Sequence, residues 1–509
     1  MAKSREPGPH MIRDLSRLEN KSFDALVIGG GINGAAIAHA AASCGMSVAL
    51  LEKNDFACGA SSQSTKLLHG GLRYLEHLEF DLVAESLRER FIQLKAAPHL
   101  ARPLPFMIPV YRNDARPLWM MRLGVCLYDF LSGSRRIGPH RALSADEVIR
   151  LAPGISRDGL VGGVEYVDGQ MDDARLCLEN VLMADAYGAA VANYVHAEAL
   201  IRKDGRAAGV RARDVLEGRT FEVFAPVVIV AAGPWSDVIF SGDRPKGPPR
   251  LHLTKGAHLI YEGQVSSRAL LLQSHEDGRV FFVIPFRGNT LIGTTDTDYS
   301  KDPDDVGVEE EDIQYLLREA ARVFPHMNFE RARIIASFAG LRPLVAKPGD
   351  PSHVSRRHLI KEEEQGVWYV MGGKYTTYRA VAEEAVHQAL PHTAGTAARR
   401  PPYALYGSGG DGSGAEVLAM RFAVPPGTAA YLQGVYGSRA AAVLEIASRD
   451  PALKAPLCSC SPAIGAQVVY ARDVEMARSA EDVIARRLGL SYIMCHQGHC
   501  RRAVSRIMA

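Results

Sequence analysis

The 509-residue sequence predicts an α/β protein with a discontinuous antiparallel β cap and a C-terminal, mostly α-helical domain. Three observations predict this fold class. In residues 23–53, two apolar strands flank a glycine-rich turn and an alanine-rich helix, which is the order of a βαβ unit. Two β-type runs within 270–297 are joined by Arg287-Gly288-Asn289, which is typical of a hairpin. Residues 417–509 read as mainly helical and follow a stretch rich in Gly, Pro, Ser and Thr at 391–416, which indicates a linker.

The other elements follow from periodicity and from the positions of proline and glycine. Five prolines within 98–117 predict extended or looped chain. The predicted helices are 82–94, 118–131, 172–187, 309–323 and 376–390, and the predicted strands are 191–202, 207–214, 221–230, 279–285, 290–293 and 367–371. The expected domains are a Rossmann-like nucleotide-binding domain at 20–85, 156–250 and 331–390, a cap at 86–155 and 251–330, a linker at 391–416 and a helical domain at 417–509.

Composition narrows the function classes. The chain is 47% apolar and 23% charged with a net charge of +2, so nucleic-acid binding has no electrostatic support. No apolar run reaches the length of a bilayer span, and residues 1–20 lack the apolar core of a signal peptide. These features predict an intracellular protein, or one attached to a membrane face. In a reducing compartment, most of the eight cysteines are expected as free thiols.

The glycine-rich turn has the spacing G-x-G-x-x-G at Gly29, Gly31 and Gly34. The first glycine permits the tight turn, the second lets a pyrophosphate approach the backbone, and the third lets helix and strand pack closely. The pyrophosphate is then expected at the helix N-terminus, beside Ile32 and Asn33. Glu52 ends the second strand, where a carboxylate accepts ribose hydroxyls and disfavours a 2′-phosphate. The sequence therefore predicts a dinucleotide ligand other than NADP.

Several segments read together resemble a known family. They are GGGING at 29–34, SSQSTKLLHGGLRYLE at 61–76, VAAGPW at 230–235, RVFFVIP at 279–285, IGTTD at 292–296, GLRPL at 340–344 and GGKYTTYR at 372–379. This set resembles the FAD-dependent, quinone-linked glycerol-3-phosphate dehydrogenases of the D-amino-acid-oxidase-like flavoprotein superfamily. The resemblance implies bound FAD, oxidation of sn-glycerol 3-phosphate to dihydroxyacetone phosphate, and electron transfer to a membrane quinone. It also implies a cytoplasmic location with peripheral attachment to the inner face of the cell membrane.

The resemblance also implies roles for individual residues. Arg73 and Arg342 contact substrate phosphate, which a planar guanidinium binds bidentately. His258 is the leading general base, and Lys374 competes with it, either as base or as positive charge near the flavin. Tyr74 is expected to donate a hydrogen bond to substrate. The residues expected at the cofactor, besides the glycine turn and Glu52, are Lys53, Ser61, Ser62, Thr65, Lys66, His69, Gly70, Gly71, Gly233, Gly340, Arg342, Gly373, Lys374 and Thr376.

Some alternatives stay open in the sequence. Oxygen could replace quinone as the acceptor, the substrate could be an amine or amino acid, or the scaffold could bind flavin without turnover. Cys458-x-Cys460 and Cys495 to Cys500 offer zinc ligands, but neither pair is C-x-x-C and no metal is assigned. Residues 116–138 combine apolar side chains with arginines, which indicates either a membrane contact or a helix buried under the cap. A homodimer also stays open.

Overall fold

The structure is a computed structural model that describes residues 11–240, 250–346, 357–391, 403–409, 414–495 and 498–509. Most of the predicted linker 391–416 lies outside the described residues. The strands are β1 Lys21–Ser22, β2 Ala25–Ile28, β3 Val48–Leu51, β4 Leu67–Leu68, β5 Ala101–Tyr111, β6 Arg141–Ser144, β7 Leu160–Met171, β8 Ala190–Ala192, β9 Val195–Lys203, β10 Arg206–Asp214, β11 Thr220–Phe224, β12 Val228–Val230, β13 Leu251–Tyr261, β14 Ala269–Gln273, β15 Val280–Phe286, β16 Asn289–Gly293, β17 Thr297–Asp298, β18 Ile334–Val345, β19 His358–Glu364, β20 Val367–Gly372, β21 Pro456–Cys458 and β22 Ser461–Ile464. The α-helices are α1 Ile32–Ser43, α2 Phe80–Ala96, α3 Leu118–Ser132, α4 Ala145–Leu151, α5 Asp173–Ala186, α6 Glu310–Val323, α7 Tyr378–Ala389, α8 Ala415–Phe422, α9 Pro426–Tyr436, α10 Ala440–Arg449, α11 Gly465–Asp473 and α12 His499–Met508.

The nucleotide-type sheet has the strand order β19-β20-β12-β2-β3-β8. Its strands run parallel except for the edge strand β19, which pairs antiparallel with β20. Helices α1, α5 and α7 bury their apolar residues against one face, and the smaller sheet β1-β11-β10-β9 packs against the other. Parallel strands need this cover on both faces, which is why β2 and β3 read as unbroken apolar runs.

The cap is a large mixed sheet with the order β17-β13-β16-β15-β14-β5-β7-β4, to which β18 adds beside β13 and β6 beside β7. The predicted hairpin is confirmed, because β15 and β16 pair antiparallel around residues 287–288. The long antiparallel pair β13–β18 sets His258 opposite Phe338 and Thr254 opposite Arg342. This register brings two predicted site residues onto neighbouring strands.

Two predicted single strands are each divided between different sheets. The run 191–202 splits into β8 in the nucleotide-type sheet and β9 in the small sheet, and Tyr194 between them has a positive φ of 55°. The run 221–230 splits in the same way into β11 and β12. All four strands bury apolar residues in one shared core, so hydrophobicity continues through each turn and hides the break.

Two further strands, which were not among the predicted strands, lie in a different domain from the one expected for their residues. The expected boundaries put residues 160–171 and 334–345 in the nucleotide-binding domain, but β7 and β18 belong to the large sheet. Glycines weaken the strand pattern of β7, and they are there because the backbones approach closely. A Cβ at Gly163, for example, would lie 2.8 Å from the carbonyl oxygen of Ile108 on β5. The proline-rich stretch is extended as expected and forms β5.

The C-terminal region consists of α8–α12 with the short hairpin β21–β22. Buried ion pairs attach it to the nucleotide-type domain: Glu475 lies 2.8 Å from Arg175, and Arg487 lies 2.7 Å from Asp55. Within the described ranges, no helix combines the length and apolarity that crossing a bilayer requires.

Candidate active site

The candidate site is a cavity of about 810 Å³ between the nucleotide-type sheet and the large sheet. Four of its wall segments directly follow the carboxyl ends of β2, β3, β12 and β20, which is where open parallel sheets bind ligands. The sequence-predicted residues that line it are Gly29, Gly31, Ile32, Asn33, Glu52, Lys53, Ser61, Thr65, His69, Gly71, Arg73, Tyr74, Gly233, His258, Gly340, Arg342, Gly373, Lys374 and Thr376.

The glycine-rich turn has the geometry that its G-x-G-x-x-G spacing predicts. Gly29 has φ of 107°, and a Cβ there would lie 2.6 Å from the carbonyl oxygen of Ala231. A Cβ at Gly34 would lie 1.9 Å from the carbonyl oxygen of Gly29, so this glycine serves close packing and does not line the cavity. Helix α1 begins directly after Gly31, with its N-terminus at the cavity wall. The helix dipole and the N–H groups of its first turn favour an anion there.

Glu52 is buried at the end of β3. Its carboxylate oxygens accept hydrogen bonds from the backbone N–H groups of Gly30, at 2.6 Å, and Asn54, at 2.8 Å. Burial raises the pKa of Glu52, and these two N–H groups oppose the rise. Each oxygen keeps a second lone pair, and the side chain lines the cavity, as a ribose acceptor must.

Lys53 makes contacts that sequence reasoning missed. Its ammonium lies 2.7 Å from Asp304 and 4.6 Å from the centre of the Trp235 ring. The indole N–H of Trp235 also donates to Asp304, at 2.9 Å. All three residues line the cavity. The VAAGPW motif contains Trp235, but only the fold brings Asp304 beside it.

Lys66 lies behind the cavity wall instead of on it. Its ammonium donates to Asp173 at 2.7 Å and to the carbonyl oxygen of Ser62 at 2.5 Å. Although burial favours the neutral amine, Asp173 raises the pKa of Lys66 to about 12. Ser62 and Gly70 are also absent from the described lining residues, and a Cβ at Gly70 would meet the Tyr128 hydroxyl at 2.4 Å. These three residues therefore lie behind the wall and support it. Such support is needed because the backbone N–H and C=O groups of a loop that approaches a ligand must still find hydrogen-bond partners.

His258 projects from β13 and is buried, with its ring stacked on Phe338 at a centroid distance of 4.9 Å. Its Nε2 lies 2.9 Å from Thr65 Oγ1. Its Nδ1 has no hydrogen-bond partner in the part of the chain that the structure describes. Burial, and then the charges of Arg342 and Lys66, hold the pKa of His258 well below its usual range. The imidazole is therefore neutral at physiological pH and can accept a proton.

The two predicted phosphate ligands differ in their surroundings. Arg342 donates to Asp296 at 2.8 Å and to Thr294 Oγ1 at 2.8 Å, so its guanidinium is already oriented. Arg73 is exposed at the cavity and has no hydrogen bond or ion pair with any residue that the structure describes. A guanidinium without a counterion favours an anionic ligand.

Lys374 follows Gly372 and Gly373, which both have positive φ and carry the chain back towards the cavity. Its ammonium lies 3.7 Å from the centre of the Tyr74 ring and 3.3 Å from Ser86 Oγ. Thr376 follows two residues later. Its hydroxyl oxygen accepts a hydrogen bond from the backbone N–H of His69 at 3.2 Å. The lining of the cavity therefore carries the positive charges of Arg73, Arg342 and Lys374, and it includes the neutral histidine His258.

The residues present fit FAD. The glycine turn and helix N-terminus suit the pyrophosphate, and Glu52 suits the ribose. The cavity continues from there to the wall of His258 and Arg342.

A family profile described as FAD dependent oxidoreductase matches residues 24–387, and one described as C-terminal domain of alpha-glycerophosphate oxidase matches residues 403–509. Fold and site together thus define an FAD-dependent oxidoreductase.

Curated relatives narrow the class further. Glycerol-3-phosphate dehydrogenase 2 of Mycobacterium tuberculosis is 36% identical over 97% of this chain and 85% of its own length. Glycerol-3-phosphate dehydrogenase of Synechocystis is also 36% identical, over 95% of this chain and 91% of its own length. The solved glycerol-3-phosphate dehydrogenase of Bacillus halodurans, complexed with FAD, has a TM-score of 0.80 and 30% identity, covering 97% of this chain and 92% of that one. The chain belongs to the FAD-dependent glycerol-3-phosphate dehydrogenase family.

Proposed function

We propose that this enzyme oxidises sn-glycerol 3-phosphate to dihydroxyacetone phosphate and passes the electrons to a membrane quinone. FAD supplies the hydride-accepting, two-electron chemistry when it is bound. The observation that carries the proposal is the lining of one cavity. It combines the guanidinium of Arg73, which has no partner among the described residues, with the oriented guanidinium of Arg342 and the neutral imidazole of His258. A phosphorylated secondary alcohol needs all three, two for the phosphate and one for the hydroxyl proton.

The phosphate dianion binds between Arg73 and Arg342 in this proposal. Arg342 is held by Asp296 and Thr294, so little conformational entropy is lost when it meets the ligand. Arg73 is exposed, and its charge has no counterion within the described part of the chain. Together they attract a dianion and fix the carbon chain relative to the cofactor.

His258 accepts the hydroxyl proton. The charge of Arg342 helps to hold the pKa of His258 down. A phosphate dianion on Arg342 offsets that charge, so substrate binding raises the basicity of the imidazole when a proton has to be taken up. Lys374 supplies positive charge to the cofactor in this scheme, because its ammonium packs against the Tyr74 ring and Tyr74 lines the same cavity.

Anaerobic mixing of the yellow holoenzyme with glycerol 3-phosphate tests the proposal. The flavin absorbance should bleach with glycerol 3-phosphate and remain with glycerol at the same concentration. Bleaching by amino acids but not by glycerol 3-phosphate would instead identify an amine or amino-acid oxidase. Reoxidation should be faster with a short-chain quinone than with air, and rapid stoichiometric hydrogen peroxide formation would instead identify an oxidase.

Paired variants assign the base. His258→Asn should slow anaerobic bleaching by about 10²–10⁴-fold, the usual contribution of general base catalysis, with FAD content unchanged. Lys374→Met serves as the comparison, because it removes the competing amine. If bleaching is nearly normal in His258→Asn and lost in Lys374→Met, the base is Lys374.

The proposed membrane contact is helix α3, at the inner face of the cell membrane. Trp119, Leu123 and Phe130 are 65%, 62% and 79% exposed along one side of α3, while Val125 and Tyr128 on the other side are buried. The alternative of a helix buried under the cap therefore describes only the side of α3 that carries Val125 and Tyr128. Arg122 lies among the exposed residues and suits anionic lipid.

Vesicle co-sedimentation tests this contact. Leu123→Asp with Phe130→Asp should abolish binding to vesicles that contain anionic lipid. Met420→Asp is the matched control, because Met420 is 77% exposed on a different helix, α8. Equal binding by both variants would remove α3 from the contact.

A further inference from the structure

A cluster of four cysteines in the C-terminal domain lies outside the site described above. Hairpin β21–β22 presents Cys458 and Cys460 at its turn, and Cys495 and Cys500 lie before and at the start of α12. The sulfur atoms of Cys458, Cys460 and Cys495 all lie within 4.8 Å of one another. Cys500 is disulfide-bonded to Cys458, whereas the other six cysteines are free, as expected for most of the eight. Four sulfurs from two distant chain segments thus meet at one point.

We propose that these four cysteines, as thiolates, bind one thiophilic metal centre, either a zinc ion or an iron–sulfur cluster. Both centres take four cysteine thiolates. Four thiolates around a single zinc lie about 3.8 Å apart, given Zn–S bonds of about 2.3 Å in a tetrahedron. The three sulfurs that lie within 4.8 Å of one another are at most about an ångström farther apart than that. The metal would therefore require side-chain adjustment and no refolding of the hairpin.

The surroundings favour thiolates over neutral thiols. The backbone N–H of Cys500 donates to Cys495 Sγ at 3.3 Å, and such N–H groups stabilise thiolate charge. Cys500 itself lies in the first turn of α12, where the helix dipole favours a negative sulfur. A surface pocket is lined by Cys458 and Cys460, so an ion from solvent can reach the cluster.

The disulfide and the metal-bound form are two states of the same cluster. A dithiol reductant supplies the two electrons that convert the Cys458–Cys500 bond into two thiols, and it becomes a disulfide itself. A zinc ion then replaces the four thiol protons and forms four Zn–S bonds, with no change in oxidation state. Cys460 and Cys495 carry no disulfide in the structure, so they need no reduction.

The metal would also stabilise the packing of α12 against the hairpin β21–β22. Cys500 and Val504 of α12 are buried in one small core with Leu457 and Ala463 of the hairpin. The four ligands join α12 to that hairpin across an interval of 42 residues from Cys458 to Cys500. Small cores of this kind gain most from a crosslink, so we expect the metal to protect the C-terminal helix from local unfolding.

Metal analysis of the full-length holoenzyme, purified anaerobically with a thiol reductant, tests the proposal. We expect about one zinc per chain, or iron with an equal amount of acid-labile sulfide, and these two results distinguish the two kinds of centre. Cys460→Ser and Cys495→Ser, both at partly exposed positions, should lower the metal content at least about fivefold while FAD per chain stays unchanged. Cys126→Ser is the control, because Cys126 is an exposed cysteine on α3 and should leave the metal content as it is.

Hydrogen exchange gives a second readout that does not depend on activity. Removing the metal with a chelator should increase amide exchange in α12 and leave exchange in α1 unchanged. Wild-type protein with neither zinc nor iron, or metal content that is the same in Cys460→Ser, Cys495→Ser and wild type, would overturn the proposal.

Discussion

Replacing Arg73 by alanine isolates the phosphate contact. Arg73 is exposed and has no partner among the described residues, so its removal should not disturb the fold. A bidentate contact with phosphate consists of two charge-assisted hydrogen bonds, each worth about 1.5 kcal/mol at an exposed position. Their loss, about 3 kcal/mol, corresponds to about a 150-fold decrease in kcat/KM.

Steady-state reduction of a soluble quinone, with glycerol 3-phosphate as the varied substrate, measures this effect. Arg73→Lys keeps the charge but not the planar fork, and we expect an intermediate loss. Arg449→Ala is the matched control, because Arg449 is exposed on α10 and has no partner among the described residues. A kcat/KM for Arg73→Ala within about threefold of wild type would refute the phosphate role of Arg73.

Arg342 is a poorer first target, although it belongs to the same proposed clamp. Its guanidinium also holds Asp296 and Thr294, so Arg342→Ala would release a carboxylate and a hydroxyl inside the site. We expect a loss at least as large as that for Arg73→Ala, with a rise in KM. A part of that loss would be structural.

Three further substitutions test the fold and its pH dependence. Gly34→Ala should yield protein that purifies largely without FAD, because the added Cβ meets the carbonyl oxygen of the first glycine at 1.9 Å, whereas Gly434→Ala, with open space around it, should stay yellow. Glu475→Gln should lower the free energy of unfolding by about 3–5 kcal/mol, since it leaves buried arginines without their carboxylate, and Glu481→Gln at a surface ion pair should cost under about 0.5 kcal/mol. Burial lowers the pKa of His99, whose ring nitrogens are both buried and without partners among the described residues, to about 3. The unfolded state therefore binds more protons below pH 6.5, so stability falls with falling pH, by up to about 2 kcal/mol at pH 5. His99→Gln should show a shallower loss in thermal melts between pH 7 and 5, and parallel slopes would contradict this reasoning.

The buried carboxylate of Glu475 shows why charge pairs between distant residues could not be predicted from the sequence. Burial alone works to raise its pKa, but Arg175 and Arg439 hold the pKa of Glu475 below its usual value. The three residues are far apart in the chain, and each resembles an ordinary surface charge there. Only folding reveals that the C-terminal domain is attached through buried charges rather than through an apolar contact alone.

The sequence was sufficient to predict an element wherever one short segment contains all the interactions that determine its conformation. The glycine turn, α1, the hairpin β15–β16 and the helices α2, α3, α5, α6 and α7 were predicted close to their observed bounds. Each depends on periodicity, turn chemistry or steric freedom within about twenty residues. The fold class and the nucleotide edge of the cavity follow from these elements.

The sequence failed where two distant segments decide the outcome. Strand β7 was assigned to the wrong domain because its partner β5 lies elsewhere in the chain, and Lys66 was expected at the cofactor although Asp173 draws it behind the wall. The same limit applied to the cysteines, whose spacing alone did not indicate that four sulfurs converge. In each case the missing information is the identity of the contact partner.

By itself, the amino-acid sequence determined the βαβ unit, its preference for a dinucleotide and the family to which the chain belongs. These depend on backbone freedom at glycines and on local patterns of apolar residues, and both can be recognised in the linear sequence. The tertiary structure alone decided that His258 is neutral, that Arg342 is pre-oriented and that Arg73 has no counterion among the residues that the structure describes. Burial and charge pairing are properties of neighbours in space, so they exist only after the sheets have packed together.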